Sequence, residues 1–146
     1  METFKIIEGF ENYSVSDFGN VRNNKTGRIM KQTITSEGYI RIGLKLNKVE
    51  RKKRVHILVA NAFIANPDGK VCVDHIDNIR SNNNINNLRW ATHVENGQNA
   101  TISKNNKTGQ KGVFYVKTTK SEFIANVKSK VGPKIQFNKD SKLKVI

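Results

Sequence analysis

A length of 146 residues with a hydrophobic fraction of 36% allows one compact domain or two or three small modules that divide the core between them. No apolar run reaches the roughly 18–20 residues that span a bilayer, and the first residues lack the pattern of a signal peptide. The single cysteine, Cys72, excludes an intramolecular disulfide framework and a zinc site built from cysteine pairs. We therefore expect a soluble, intracellular, strongly basic protein.

The positive charge is concentrated in the last third of the chain. The net charge is +14, from 26 Lys and Arg against 12 Asp and Glu, and residues 103–146 carry eleven lysines against two acidic side chains. Like charges repel one another, whereas a polyanion screens them, and each neutralised phosphate also releases counterions. Binding of nucleic acid is therefore favoured over the alternative that this segment is only a solvated lysine-rich tail. The reason is that the segment also contains apolar residues that alternate as in β-strands.

The first part of the chain is predicted to form short strands and one helix. Residues 3–46 contain strands joined by turns, and Tyr39–Leu46 alternates as a strand with one buried face. Residues 47–54 are expected to be a basic connector. His56–Ile64 carries apolar residues at helical spacing and ends before the turn signal of residues 66–69.

A strand–loop–strand–helix unit is predicted next. Lys70–Ile76 is the first strand, residues 77–87 form a polar loop, Leu88–Thr92 is the second strand, and a short helix extends from about His93 to Ala100.

Alternating segments continue toward the C-terminus. Val113–Val116 and Phe123–Val127 are predicted to be antiparallel strands, and Ile135–Phe137 is a candidate for a third. Small sheets on both sides of a strand–loop–strand–helix unit indicate the α+β class.

Polar side chains are expected to converge at one corner of that unit. Asp74 and His75 end its first strand, Asn87 precedes its second, and Asn96 lies on its helix. The oxygens of Asp74 and Asn96 suit a hard divalent ion, with Mg²⁺ favoured and Mn²⁺ acceptable, while His75 can take a proton from water near neutral pH. A general base, a metal and a phosphate together describe phosphodiester hydrolysis.

One condition applies to this site. Neighbouring side chains on a regular strand point to opposite faces, so Asp74 and His75 serve one site only where the strand twists, bulges or ends.

Two stretches, Val55–Phe63 and Val73–Asp77, resemble the intron- and phage-encoded HNH endonucleases of the ββα-metal class, and the resemblance covers about residues 52–100. It implies a DNA endonuclease that leaves 3′-hydroxyl and 5′-phosphate ends. It further implies that Asp74 and Asn96 bind the metal, that His75 is the general base, and that Asn87 pins the loop and orients the histidine.

The flanking segments resemble DNA-binding elements of such nucleases. Tyr13–Ser16 and Gly19–Arg22 resemble the modular element that often precedes them, and Ser103–Gly109 resembles the start of an Apetala-type DNA-binding sheet, here truncated before that family's packing helix. The expected domains are residues 1–50 (DNA-binding module), 51–102 (nuclease) and 103–146 (basic DNA-binding segment).

The partner is expected to be double-stranded DNA. No heptad or apolar interface helix is evident, so a monomer is expected, and a single active site favours a nick over a double-strand break. If the source is a phage, the location is the host-cell cytoplasm. His56 either packs or contacts a phosphate, and Arg89 is a candidate phosphate contact. The full set of expected DNA contacts is Arg54, His56, Arg89, Lys104, Lys107, Lys111 and Lys117.

Two other functions remain open. A non-catalytic DNA-binding regulator that retains the nuclease frame would explain the charge, but it has no need for Asp74, His75, Asn87 and Asn96 together. An RNA-binding or ribosome-associated protein is supported by charge alone, since clustered aromatic side chains that stack on bases are lacking.

Overall fold

The computed structural model describes residues 1–102, residues 105–106 and the backbone of four short strands between residues 115 and 145. The chain divides into two compact units, Met1–Ala100 and Thr101–Ile146. The first unit contains β1 (Phe4–Ile7), β2 (Phe10–Ser16), β3 (Val21–Asn23), β4 (Thr33–Ile34), β5 (Ile40–Leu46), β6 (Val49–Arg54), α1 (Val55–Phe63), β7 (Cys72–His75), β8 (Leu88–Ala91) and α2 (His93–Asn99). This combination of small sheets and helices confirms the predicted α+β class.

Three antiparallel sheets make up the first unit. The strands β1, β2 and β3 form one sheet, β4, β5 and β6 form a second, and β7 pairs with β8. Alternation explains β5, in which Ile42 and Leu44 are buried while Arg41 and Lys45 are exposed. The predicted strands and helices of residues 39–46, 56–64, 70–76, 88–92 and 93–100 are therefore confirmed, with shifts of at most two residues at their ends.

The prediction of a basic connector over residues 47–54 is wrong in part. Residues Val49–Arg54 form β6, which pairs with β5 through the whole strand although every one of its side chains is exposed. Asn47 and Lys48 adopt φ angles of 50° and 66°, the left-handed values that close a two-residue hairpin turn. The hairpin crosses residue 50, where a domain boundary was expected.

One hydrophobic core joins the N-terminal strands to the hairpin β7–β8. Helix α1 contributes Val55 and Val59, both fully buried, against the two N-terminal sheets. The expected division of the core is therefore not found within Met1–Ala100. The members of this core are Ile7, Phe10, Tyr13, Val15, Val21, Ile42, Leu44, Val55, Leu58, Val59 and Leu88.

In the second unit, β9 (Tyr115–Lys117) pairs with β10 (Phe123–Ala125), and β11 (Ile135–Gln136) pairs with β12 (Lys144–Val145), both antiparallel. The first pair confirms the predicted hairpin. The predicted third strand pairs with β12, so the described strands form two two-stranded sheets. No helix in the described part of the chain is long and apolar enough to cross a membrane.

Candidate active site

The site is built on the hairpin β7–β8 and helix α2. Trp90 in β8 donates its ring N–H to the Ile64 carbonyl (3.0 Å), which ties the hairpin to the end of α1. Helix α2 begins after Thr92, whose hydroxyl accepts from the Glu95 N–H while the Glu95 carboxylate accepts from the Thr92 N–H. This reciprocal cap and an ion pair with Lys70 (3.0 Å) lower the pKa of Glu95 to about 2, the Thr92 N–H contributing most.

Asp74 is buried and has charged and polar partners on both oxygens. Its Oδ2 accepts from Arg89 Nε (3.0 Å) and Nη2 (2.8 Å), since the antiparallel register places Arg89 directly opposite Asp74. Its Oδ1 accepts from Asn99 Nδ2 (3.1 Å), which also donates to the His75 carbonyl (2.9 Å). Arg89, which was expected to contact a phosphate, thus binds the side chain of Asp74, the expected metal ligand.

His75 has neutral partners. It is the last residue of β7 and 4% exposed, so the strand ends at the Asp74–His75 pair as the site required. Its Nε2 lies 3.2 Å from the side-chain oxygen of the buried Asn83. An amide oxygen only accepts, so this contact is a hydrogen bond in the form of the imidazole that carries a proton on Nε2.

Asn87 holds the loop between the two strands. Its Nδ2 donates to Asp77 Oδ1 (2.9 Å) and to the Asn82 carbonyl (2.9 Å), while its Oδ1 accepts from the Asp77 N–H (3.0 Å). Burial acts to raise the pKa of Asp77, but hydrogen bonds from the Ile79 N–H, Asn82 and Asn87 outweigh it and lower that pKa. Asn87 thus hydrogen-bonds within the loop, and its loop-pinning role stays a prediction, whereas the side-chain contact with His75 comes from Asn83 and not from Asn87.

Two asparagines of α2 lie three residues apart, a spacing that puts side chains on one helix face. Asn99 contacts Asp74 directly, whereas the partly buried Asn96 makes no side-chain hydrogen bond to any residue within 1–102. Sequence reasoning singled out Asn96 and missed Asn99. The three-residue spacing between Asn96 and Asn99 on the predicted helix is the sequence signal that could have identified Asn99.

An aromatic and cationic cluster lies beside His75. The guanidinium carbons of Arg54 and Arg80 are 4.8 and 4.9 Å from the Tyr39 ring centre, and the His56 ring lies 5.1 Å from Tyr39 and 4.9 Å from His75. We call these four residues, Tyr39, Arg54, His56 and Arg80, the Tyr39 cluster. Arg80 also donates to the Glu37 carbonyl (2.7 Å).

His56 forms the buried floor of this cluster. It is 3% exposed, and its Nδ1 is the buried side-chain atom that lacks a hydrogen-bond partner among the described residues. Burial, followed by the nearby His75 and Arg54, lowers the pKa of His56 to about 4, so its ring is neutral at pH 7. Of the two roles left open for His56, this burial favours packing over contact with a phosphate.

The remaining expected DNA contacts fall at different places. Arg54 is exposed at the start of α1. Lys104, Lys107 and Lys111 lie outside the described residues, and for Lys117 the structure describes the backbone in β9.

The oxygen atoms of Asp74, Asn96 and Asn99 suit a hard cation that takes only a few of its ligands from the protein. Within the described residues no group of three His, Cys, Asp or Glu side chains is close enough to hold a metal ion. Asp74 offers one buried carboxylate, and Asn96 and Asn99 offer carboxamide oxygens from the neighbouring helix. Oxygen donors this few leave positions for water and a phosphate, which suits a hard divalent cation.

A two-stranded hairpin followed by a helix, with an Asp-His pair where the first strand ends, has the ββα arrangement of HNH nucleases. Comparison with known proteins confirms this relationship. Residues 53–98 match the family model described as HNH endonuclease, and residues 2–45 match the model of the NUMOD4 motif.

Individual relatives agree with these matches. The chain is 39% identical over 97 residues to the DNA endonuclease I-HmuI of Bacillus phage SP01, covering 66% of this chain and 56% of that protein. It is 42% identical over 97 residues to the uncharacterized HNH endonuclease L247 of Acanthamoeba polyphaga mimivirus, covering 64% of this chain and 24% of that protein. The chain therefore spans between 24% and 56% of the length of these two curated relatives.

A solved structure supports the fold. The structure described as DNA binding and cleavage by the HNH homing endonuclease I-HmuI matches with a TM-score of 0.61 at 40% identity, over 66% of this chain and 56% of that one. Over the NUMOD4 and HNH segments, the chain is thus homologous to HNH endonucleases.

Proposed function

We propose that the protein is a metal-dependent DNA endonuclease of the homing type, acting on double-stranded DNA as a monomer. The observation that carries this proposal is the buried Asp74–His75 pair at the end of β7, which joins a carboxylate to an imidazole whose Nε2 lies 3.2 Å from the Asn83 side-chain oxygen. Homology to HNH endonucleases, including a phage DNA endonuclease, supports the same activity.

His75 is the general base of the proposed reaction. A water molecule attacks the phosphorus atom, and its proton passes to His75 Nδ1. The bond from phosphorus to the 3′ oxygen breaks, and this oxygen takes a proton from solvent. The products are a 3′-hydroxyl end and a 5′-phosphate end.

Asp74 and Asn96 are the proposed metal ligands, and Mg²⁺ is favoured over Mn²⁺. The bound cation would stabilise negative charge on the phosphate and on the leaving oxygen. Asn99 and Arg89 hold the Asp74 carboxylate in place from two directions. Asn87 keeps the loop closed behind the hairpin.

Arg54 and Arg80 are proposed to receive the DNA backbone beside His75. Two guanidinium groups stacked on Tyr39 present fixed positive charge at the edge of the site, and arginine binds phosphate through paired hydrogen bonds. The lysines of residues 103–146, including Lys104, Lys107, Lys111 and Lys117, would add phosphate contacts that carry no sequence information. For a phage source, the proposed location is the host-cell cytoplasm.

Supercoiled plasmid DNA tests this function. The protein is incubated with plasmid and Mg²⁺, with plasmid and Mn²⁺, and with plasmid and a chelator, and nicked and linear products are separated on a gel. We expect nicked product with metal and none with chelator. DNA binding without cutting under every metal condition would overturn the proposal and indicate the non-catalytic regulator.

A further inference from the structure

The turn between β2 and β3 in the NUMOD4 segment is hydrogen-bonded to Ser16 and contains a glycine at positive φ. The fully buried Ser16 accepts hydrogen bonds on its hydroxyl from the N–H groups of Phe18 (3.3 Å) and Asn20 (2.9 Å), and its carbonyl accepts from Gly19 (3.0 Å). Gly19 has a φ of +87°, a conformation that disfavours residues with a side chain. The turn therefore has its backbone groups paired with Ser16 and presents bare backbone at Gly19.

That bare backbone lies against the loop of the candidate active site. A Cβ atom added at Gly19 would lie 2.8 Å from the Cβ of Asn83 and 3.4 Å from its carbonyl oxygen. Beside this contact, the Ile85 N–H donates to the Asp17 carbonyl (2.8 Å). On the other side, Gln32 donates its side-chain N–H to the Gly19 carbonyl (2.7 Å).

Asn83 connects this turn to the histidine. It is 4% exposed, and its side-chain oxygen is 3.2 Å from His75 Nε2. The turn lies against the Cβ of Asn83, so a shift of the turn, or an atom added at Gly19, would displace the side chain that holds this oxygen beside Nε2. Asn83 thus links the NUMOD4 segment to the imidazole of His75.

Building on the endonuclease proposed above, we infer that the β2–β3 turn is a positioning element of the active site. Asn83 is a positioning residue for His75, since its oxygen selects the imidazole tautomer that leaves Nδ1 able to accept a proton. Gly19 is required because any larger residue pushes Asn83 away from Nε2. The NUMOD4 segment then supports the proton transfer as well as any binding of DNA.

Two glycine substitutions in the full chain separate positioning from backbone strain. Gly19→Ala adds a Cβ against Asn83, whereas the control Gly27→Ala is made at a similar φ of +69° where nothing lies within 4 Å of the added atom. Both variants should lose thermal stability, because alanine disfavours positive φ. We expect kcat of Gly19→Ala to fall at least tenfold with its DNA dissociation constant unchanged within twofold, and Gly27→Ala to keep kcat within twofold of the wild type.

A spectroscopic measurement tests the same inference without relying on cleavage. Long-range ¹H–¹⁵N NMR spectra of histidine-labelled protein report which ring nitrogen carries the proton, and the spectrum of His75→Ala assigns the His75 signals. The wild type and Gly27→Ala should show His75 protonated on Nε2. Gly19→Ala and Asn83→Ala should show a mixture of tautomers.

Two further variants cover the case in which Gly19→Ala does not fold. Asn83→Ala removes the acceptor, while Asn83→Asp keeps an acceptor oxygen at that position and should recover at least tenfold of the lost kcat. Gln32→Ala removes the hydrogen bond to the Gly19 carbonyl and should lower kcat about two- to fivefold.

The outcomes separate this inference from the endonuclease proposal. An unchanged His75 tautomer in Asn83→Ala and Gly19→Ala would overturn the positioning role even if cleavage falls. A weakened DNA affinity with unchanged kcat would also overturn it and leave the turn a binding element. A wild type that fails to cut DNA while the tautomer shifts as expected would overturn the endonuclease alone.

Discussion

The two site residues at the end of strand β7, Asp74 and His75, have different kinds of partners around their side chains. Asp74 faces a guanidinium and a carboxamide, Arg89 and Asn99, both of which reach it from neighbouring elements. His75 faces the uncharged Asn83 and the neutral ring of His56. One residue step along a strand reverses the direction of the side chain. The fold thereby surrounds the proposed metal ligand and the proposed general base with different partners, and four predictions test this difference.

The largest effect is expected on the His75 side. His75→Ala removes the proposed general base, so the rate of plasmid cleavage should fall by about 10²–10⁴-fold, while DNA affinity measured by fluorescence anisotropy stays within about twofold. His93→Ala, the same change at an exposed histidine, is the control and should cut normally. Cleavage by His75→Ala within about threefold of the wild type would assign the proton transfer to another group.

The buried, neutral His56 beside His75 should make the free energy of unfolding depend on pH. The pKa of His56 is about 4 in the folded chain against 6.5 for the free side chain, so the unfolded chain binds more protons between these values. Stability is therefore complete above pH 6.5 and decreases by about 3 kcal/mol as the pH falls toward 4.

Denaturant unfolding at several pH values measures this loss, with His56→Gln as the comparison because glutamine does not titrate. The variant should show a shallower decrease between pH 6.5 and 4. Parallel curves for the two proteins would mean that His56 is not held neutral by the fold.

The Asp74 side should respond to metal concentration. Asp74→Ala is expected to raise the Mg²⁺ concentration for half-maximal cleavage at least tenfold, because it removes the one carboxylate of the donor set. Asn96→Ala should raise it about tenfold, and Asn99→Ala only about threefold, since Asn99 donates its N–H to Asp74. A larger shift for Asn99→Ala than for Asn96→Ala would reverse the assignment of the carboxamide ligand.

The smallest effect concerns the arginines over Tyr39. Arg54→Gln and Arg80→Gln should each reduce the slope of log affinity against log salt by about 0.9, the value for one phosphate contact. Arg28→Gln, at an exposed arginine outside the Tyr39 cluster, is the matched control. Slopes that stay at the wild-type value in both variants would place the DNA backbone elsewhere.

Local patterns in the sequence predicted the elements that position the site. Alternation identified β5, and apolar residues at helical spacing identified α1, because each of these elements buries one face. The strand–loop–strand–helix unit was recognised from its polar loop and its motif residues. The strand β6 was missed because all six of its side chains are exposed, so its pattern carries no alternation and its existence depends on β5.

The partners of the site residues could not be predicted in the same way. The pairing of Arg89 with Asp74 depends on strand register, which places the two residues opposite each other. The contact of Asn83 with His75 depends on a turn more than sixty residues earlier in the chain, at Gly19. Asn83 stands in a run of asparagines, where nothing in the sequence distinguishes the buried one from its exposed neighbours Asn82 and Asn86.

The exposed strand β6 has a consequence for contact between copies of the protein. It forms one margin of the described sheet β4–β5–β6, where backbone N–H and C=O groups can accept a further strand. Its sequence includes four consecutive cations, residues 51–54, all exposed. A second copy that approached this margin would bring like charges together, which disfavours strand addition. The basic run is therefore expected to disfavour pairing between the edges of two copies, and replacing it with glutamines should increase self-association.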